Sequence, residues 1–125
     1  LPNWEITNIP DESADLFVNF RSMGEMKVET IEEYLKQINR VLRPERCFYQ
    51  ENTGIAMATN SRGYVDTPIL AYPYPATLKV RDMRLSPCHD TYRYWEAVSI
   101  KKEIPRYIPI QIVQVSEKDK KKNTL

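Results

Sequence analysis

SADLFVNFRSMGEMKVETIEEYLKQINRVLRPERCFYQEN, from Ser13 to Asn52, reads as one complete strand, helix, strand unit. Ala14-Asp15-Leu16-Phe17-Val18-Asn19-Phe20 is a short, nearly continuous apolar run, the pattern of a buried parallel strand covered on both faces. Arg21 to Met26 breaks that run with a glycine and polar groups. From Val28 onward Val28, Ile31, Leu35, Ile38 and Leu42 recur at the spacing of one helix face. Glu29, Glu32 and Glu33 near its start and Arg40 and Arg43 near its end oppose the helix dipole at both termini, and Pro44 is placed to stop it. The first turn begins at either Lys27 or Thr30, the latter forming a capping box with Glu33. Cys47 to Asn52 supplies the second strand, and a helical connection of this length joins parallel strands.

Outward from this unit the pattern changes. Thr53 to Pro75 carries two glycines, three prolines and one short apolar piece, Pro68 to Tyr72, and reads as a long loop holding one turn of helix. Connections beyond about 12 to 15 residues inside a compact domain are commonly functional. Tyr72-Pro73-Tyr74-Pro75 stiffens the chain, leaving two rings that either stack on a ligand or pack over the sheet. Leu78 to Leu85 alternates apolar and polar residues. Tyr94 to Ile100 does the same through Trp95 and Ala97, with a slip before Ile100, so the two segments predict an antiparallel pair. Tyr107 to Val115 is a further β-rich run that Pro109 directs to a sheet edge. Ser116 to Leu125 is a charged tail, which leaves residues 1–115 as a single α/β domain.

A chain of 125 residues with 42% hydrophobic content suffices for one core. Eighteen basic against seventeen acidic residues leave a formal charge of +1, so the overall balance favours neither nucleic acid nor an anionic membrane as partner. No run approaches the roughly 18 apolar residues of a membrane span, and Leu1 to Ser13 lacks the pattern of a signal peptide. Cys47 and Cys88 are too few for a disulfide scaffold or a zinc knuckle, which makes a reducing, cytoplasmic setting the default. Cys47 reads as an inert core thiol. Cys88 and His89 are adjacent, and neighbours on an extended chain point to opposite faces, so they do not form a catalytic pair by sequence alone. No metal site is expected from one histidine and two cysteines.

The order of elements, together with Asp15-Leu16, Ser22 and Glu25-Met26 after the first strand, the helix TIEEYLKQINRVL from Thr30 to Leu42, and Phe48-Tyr49 with Asn52, resembles the C-terminal half of a class I S-adenosylmethionine-dependent methyltransferase. It is most similar to the sugar O-methyltransferases, over about residues 11 to 103 and more specifically in its first half. The resemblance implies a partial Rossmann-like sheet in which the unit from Ser13 to Asn52 supplies the fourth and fifth strands, followed by the terminal antiparallel pair. It also implies that the cofactor-binding part lies elsewhere. A strand entering a Gly-rich turn, with a carboxylate on the next strand, has no counterpart here, and three glycines in total cannot supply one. The sheet is therefore expected to be open where another strand should stand, and to be covered there by an N-terminal half or a partner chain.

In an open α/β sheet ligands sit beyond the carboxyl ends of the strands, here Asn19 to Glu25 and Glu51 to Thr53. Transfer of a methyl group to a sugar-like hydroxyl needs a base and an aligned acceptor. Glu25 is the leading base or acceptor-binding group. His89, the sole histidine, is a second catalytic candidate. Arg21, Ser22, Glu51, Asn52, Tyr72 and Tyr74 are candidates to bind the acceptor, and Asn19 and Phe20 are nearest to where the resemblance implies S-adenosylmethionine. Each also has a plain structural alternative: Ser22 as a turn cap, Arg21 as a solvated charge, Glu25 as a partner of backbone amides, His89 as surface. The competing reading of the whole chain is a noncatalytic α/β module that binds a sugar or a protein through Tyr72, Tyr74, Tyr92 and Tyr94.

Overall fold

A computed structural model describes residues 3–55, 63, 65–88 and 93–103. Four strands form one mixed sheet: β1 (Ala14–Phe20), β2 (Leu42–Thr53), β3 (Leu78–Leu85) and β4 (Tyr94–Lys101), in the spatial order β1-β2-β4-β3. β1 and β2 run parallel, and β2 pairs antiparallel with β4, as β4 does with β3. The single α-helix among the described residues, α1 (Val28–Val41), connects β1 to β2. The strand, helix, strand unit and the antiparallel pair are thus both present, in the arrangement expected of a partial Rossmann-like sheet.

One face of the sheet carries the core. Ile31, Leu35, Ile38 and Val41 of α1 are buried against it, and the Phe17–Phe48, Asn19–Gln50, Gln50–Ala97 and Asn52–Trp95 register pairs line that face. Phe17 meets Phe48 edge to face, with ring centroids 6.0 Å apart. Arg40 ties the chain start to the end of α1, donating to the carbonyls of Ile6 and Ile9 at 2.9 and 2.7 Å and to Asp11 Oδ1 at 2.6 Å.

Several local expectations are corrected by this architecture. β1 is not covered on both faces: Leu16, Val18 and Phe20 are 55%, 42% and 56% exposed. β1 is an edge strand of the described sheet, and α1 shields only the Phe17 and Asn19 side. Pro44 does not stop α1, which has already ended at Val41, where Leu42 turns extended with φ −70° and ψ 136°. Pro44 instead lies inside β2. It is tolerated because the ladder skips from the Ala14–Leu42 pair to Leu16–Cys47, leaving Arg43 to Arg46 without ladder partners, and Glu45 absorbs the detour at φ 64°. No capping box forms, since α1 starts at Val28 behind an extended Lys27 and Thr30 lies within its first turn. β4 carries no slip. Its Ile100 faces away from the Ala97 side, and the irregularity sits on β3 between Val80 and Asp82. Cys47 is half-buried rather than in the core. Between β2 and β3 the long connection contains one short 3-10 turn, Ile69–Ala71, as the apolar piece suggested. Residues 107–115 and the charged tail lie outside the described residues.

No helix among the described residues is long and apolar enough to cross a membrane.

Candidate functional site

β1 ends at Phe20, and Arg21 takes a left-handed conformation with φ 52°, rare for a residue with a side chain. Two bonds hold it there: its backbone N–H donates to the Glu51 carbonyl at 2.6 Å, and its Nε donates to Glu51 Oε1 at 2.8 Å. The chain then enters the 3-10 turn Met23–Glu25, which is pinned from above where the Thr67 N–H donates to the Gly24 carbonyl at 2.9 Å. Strain of this kind is tolerated where the surrounding structure over-determines it, as at many ligand sites.

Glu51 is almost wholly buried, while Arg21 is about half exposed, so the ion pair is anchored from the carboxylate side. The second carboxylate oxygen of Glu51 accepts from Ser86 Oγ at 2.6 Å. Antiparallel pairing places Thr53 opposite Tyr94. Two guanidinium groups contact the Tyr94 ring, with Arg21 Cζ 4.8 Å and Arg93 Cζ 5.4 Å from its centroid. Arg93 Nη2 in turn reaches buried Asp66 Oδ2 at 3.4 Å.

Below this layer runs a row of side-chain amides. Asn19 Nδ2 donates to Ser22 Oγ at 2.8 Å, and Asn52 Nδ2 donates both to Asn19 Oδ1 at 3.1 Å and to Gln50 Oε1 at 3.0 Å. Gln50 Nε2 donates to the Tyr74 hydroxyl at 2.9 Å, which donates to the Ile69 carbonyl at 3.0 Å. The directions of these bonds fix the orientation of every amide in the row. Asn52 Oδ1, fully buried, has no hydrogen-bond partner among the described residues.

A small cleft at the carboxyl ends of β1 and β2 is lined by Arg21, Glu25, Asn52, Asp66, Arg93 and Tyr94. It brings together three residues singled out from the sequence, Arg21, Glu25 and Asn52, with Glu51 supporting Arg21 from below. Other expected residues sit elsewhere. Tyr72 is buried in the core, where burial pushes its phenol well above the usual tyrosine range, and Tyr74 is tied into the amide row, so neither ring lines the cleft. Ser22 is exposed beyond the row, Asn19 is one of its links, and Phe20 stands on the open face in edge contact with Tyr49 at 5.7 Å. His89 and Tyr92 lie outside the described residues. Asp66 and Arg93 escape a reading of the sequence, because neither belongs to a periodic segment or a motif. The pairing of β2 with β4 brings in Arg93, and the Thr67 bond to Gly24 together with the Arg93 ion pair brings in Asp66.

The glycines test whether a nucleoside cofactor could be cradled here. A side chain on Gly24 would meet Thr53 Cγ2 at 3.0 Å, and one on Gly54 would run into the Trp95 indole at 2.0 Å. Both serve close protein packing. Gly63 has nothing within 4 Å. A Gly-rich turn between a strand and a helix, the feature that lets backbone approach a cofactor, is thus not formed by the described residues. No group of three or more metal-ligating side chains occurs among them either.

Comparison with known proteins gives no matching protein family and no matching curated relative. Solved structures do match. A protein of Thermus thermophilus described as a DNA modification methylase, in complex with S-adenosyl-L-methionine, is 11% identical, with a TM-score of 0.53 over 81% of this chain and 51% of its own. A SAM-dependent methyltransferase from Methanosarcina mazei is 12% identical, with a TM-score of 0.51 over 77% and 63% respectively. The [4+2]-cyclase SpnF is 15% identical, with a TM-score of 0.54 over 82% and 52%. At such identities the likeness establishes the fold, that of class I methyltransferases. The chain spans about half to two-thirds of these neighbours' length.

Proposed function

We propose that this chain is the acceptor-side half of an S-adenosylmethionine-dependent O-methyltransferase acting on a sugar or a related small hydroxyl compound, with the cofactor held by an N-terminal half. The observation that carries this reading is the convergence of Arg21, Glu25 and Asn52 on one cleft at the carboxyl ends of parallel strands, where ligands of open α/β sheets bind. The methyl-donor chemistry is what S-adenosylmethionine supplies when bound. The residues of this chain act on the other reactant. Glu25 is exposed at the cleft and takes the hydroxyl proton. Asn52 and Arg21 hold the acceptor in place, and such positioning accounts for much of the acceleration in a two-reactant step.

The N-terminal half has a place to pack. The outer edge of β1 pairs with no strand among the described residues. Beside it Ile6, Ile9, Leu16, Val18, Met26 and Tyr34 line an open groove of about 540 Å³. An open edge with apolar flanks is normally covered in a working protein.

A second reading, a noncatalytic binding module of the same fold, is favoured by the packing role of Gly24 and Gly54 and by the occurrence of a cyclase among the structural neighbours, since a fold does not fix a reaction. Calorimetric titration with S-adenosylmethionine separates the two. Binding by the full-length protein and not by this chain alone is the expected result. Binding by neither sinks the enzyme reading and leaves the module.

A further inference from the structure

The row of side-chain amides has a polarity, and that polarity is set at one end. The Ile69 carbonyl belongs to a buried residue and can only accept, so the Tyr74 hydroxyl spends its one proton there, at 3.0 Å. Burial pushes the Tyr74 phenol above the usual tyrosine range, which keeps that proton in place. The hydroxyl oxygen is left to accept, and Gln50 meets it with Nε2 at 2.9 Å. Each later link follows from the one before. Gln50 turns Oε1 toward Asn52, Asn52 answers with Nδ2, and the same Nδ2 donates to Asn19 Oδ1. Asn19 then has its own Nδ2 for Ser22, whose Oγ accepts at 2.8 Å.

Ser22 therefore receives a hydrogen bond from the row and keeps its own proton. It makes no side-chain cap to the 3-10 turn that follows it, and its hydroxyl donates to no group among the described residues. In a row of the opposite polarity Asn19 would present its oxygen and take up the Ser22 proton. Ser22 is exposed just past the end of β1. With Asn19 it brings polar groups to the groove beside β1, whose lining is otherwise mainly apolar. That is the side on which the proposed N-terminal half, and the cofactor it holds, would stand.

We propose that Tyr74 is a positioning residue for the cofactor: acting through Gln50, Asn52 and Asn19, it holds Ser22 as a hydrogen-bond donor to an acceptor atom of S-adenosylmethionine. This inference rests on the function proposed above. Tyr74 itself touches no ligand. It decides whether Ser22 gives a proton or takes one, and an acceptor atom such as a carboxylate oxygen or a purine ring nitrogen is bound only by the first.

The test is calorimetric titration of S-adenosylmethionine into the full-length protein and its variants. Ser22→Ala is expected to weaken binding about fivefold, the worth of one hydrogen bond, and Ser22→Thr, which keeps the hydroxyl, to bind within about twofold of the parent. Tyr74→Phe is expected to weaken binding several-fold in the parent and to have no effect in the Ser22→Ala background, because the polarity it sets is read out only at Ser22. A merely structural loss would appear in both backgrounds. Tyr72→Phe removes a buried hydroxyl that has no hydrogen-bond partner among the described residues, and is expected to leave binding unchanged. Should Tyr74→Phe fail to fold, Gln50→Met cuts the row one link further on and takes its place in the same comparison. An equal loss from Tyr74→Phe in both backgrounds, the same loss from Tyr72→Phe, or no loss from Ser22→Ala overturns the proposal, while binding by the parent keeps the methyltransferase reading. Absence of binding by the parent ends that reading and the assignment of Ser22 with it.

Discussion

At the scale of single residues, the cleft joins groups whose roles separate cleanly by burial. Glu51 is buried, ion-paired and hydrogen-bonded to Ser86, which makes it a support. Glu25 is exposed on the rim, where an entering hydroxyl can reach it. Glu25→Gln in the full-length protein is therefore expected to lower turnover by about 100-fold or more, the usual effect of removing a general base. Activity within a few fold of the parent would remove Glu25 from that role. Gly54 makes a different demand, since its missing side chain is where the Trp95 indole lies. Gly54→Ala is expected to destabilise by about 1–3 kcal/mol through overpacking, and Gly54→Ala combined with Trp95→Leu to recover much of the loss, both read from urea unfolding. Failure of the double variant to recover would show that the glycine is needed for its backbone and not for the indole.

At the scale of elements, β2 carries most of the architecture, because it pairs with β1 on one side and β4 on the other. Its Phe48 is fully buried between α1 and the sheet. Phe48→Ala is expected to cost about 3–5 kcal/mol, enough to unfold a marginal domain, and to be visible as a large downward shift in the unfolding midpoint. On the opposite face Tyr49 donates to Glu96 Oε2 at 2.7 Å, and Glu96 also pairs with Arg84 of β3. The bond to Glu96, with burial second, holds the Tyr49 phenol neutral up to about 12 against an ordinary value of 10.0. The same bond, with Arg84, holds Glu96 below its usual range. Because the folded value of Tyr49 lies above the unfolded one, its contribution to stability is complete below pH 10 and is lost as pH rises from 10 to about 12. Tyr49→Phe should subtract from the ultraviolet titration a phenolate with a midpoint near pH 12, and Glu96→Gln should move that midpoint back toward 10. An unmoved midpoint would mean that Glu96 is not the cause.

At the scale of the whole molecule, α1 closes the helix face of the sheet, while among the described residues Leu16, Val18 and Phe20 on the other face of β1 stay exposed. If the proposed N-terminal half covers the β1 edge, supplying it in the same cell is expected to raise the soluble yield of this chain and to lower its binding of a hydrophobic dye, as Leu16, Val18 and Phe20 are covered. No change on co-expression would count against that half as the occupant of the β1 edge. Much of this arrangement is legible in the sequence. The 3.6-residue period of Ile31, Leu35 and Ile38 and the two-residue period of Trp95 and Ala97 follow from backbone geometry alone, and each names the side that meets the core. The exposure of β1 is not legible, because an apolar run is the same string whether one face or both are covered. Pro44 inside β2 is not legible either, since nothing local announces that the ladder skips Arg43 to Arg46 there. The candidate site divides in the same way. Arg21, Glu25 and Asn52 follow from their place at strand ends, a local property. Asp66 and Arg93 owe their presence at the cleft to contacts across 27 positions of sequence, and nothing local distinguishes a ligand-facing Tyr72 or Tyr74 from the packed rings they are. By itself, then, the sequence determined α1 and the described strands apart from the start of β2, their order, and the polar groups at the strand ends, because those depend on neighbours along the chain. Tertiary structure alone decided which face of β1 is covered, which tyrosines are core and which carboxylate stands exposed at the cleft, because burial and charge pairing depend on neighbours in space.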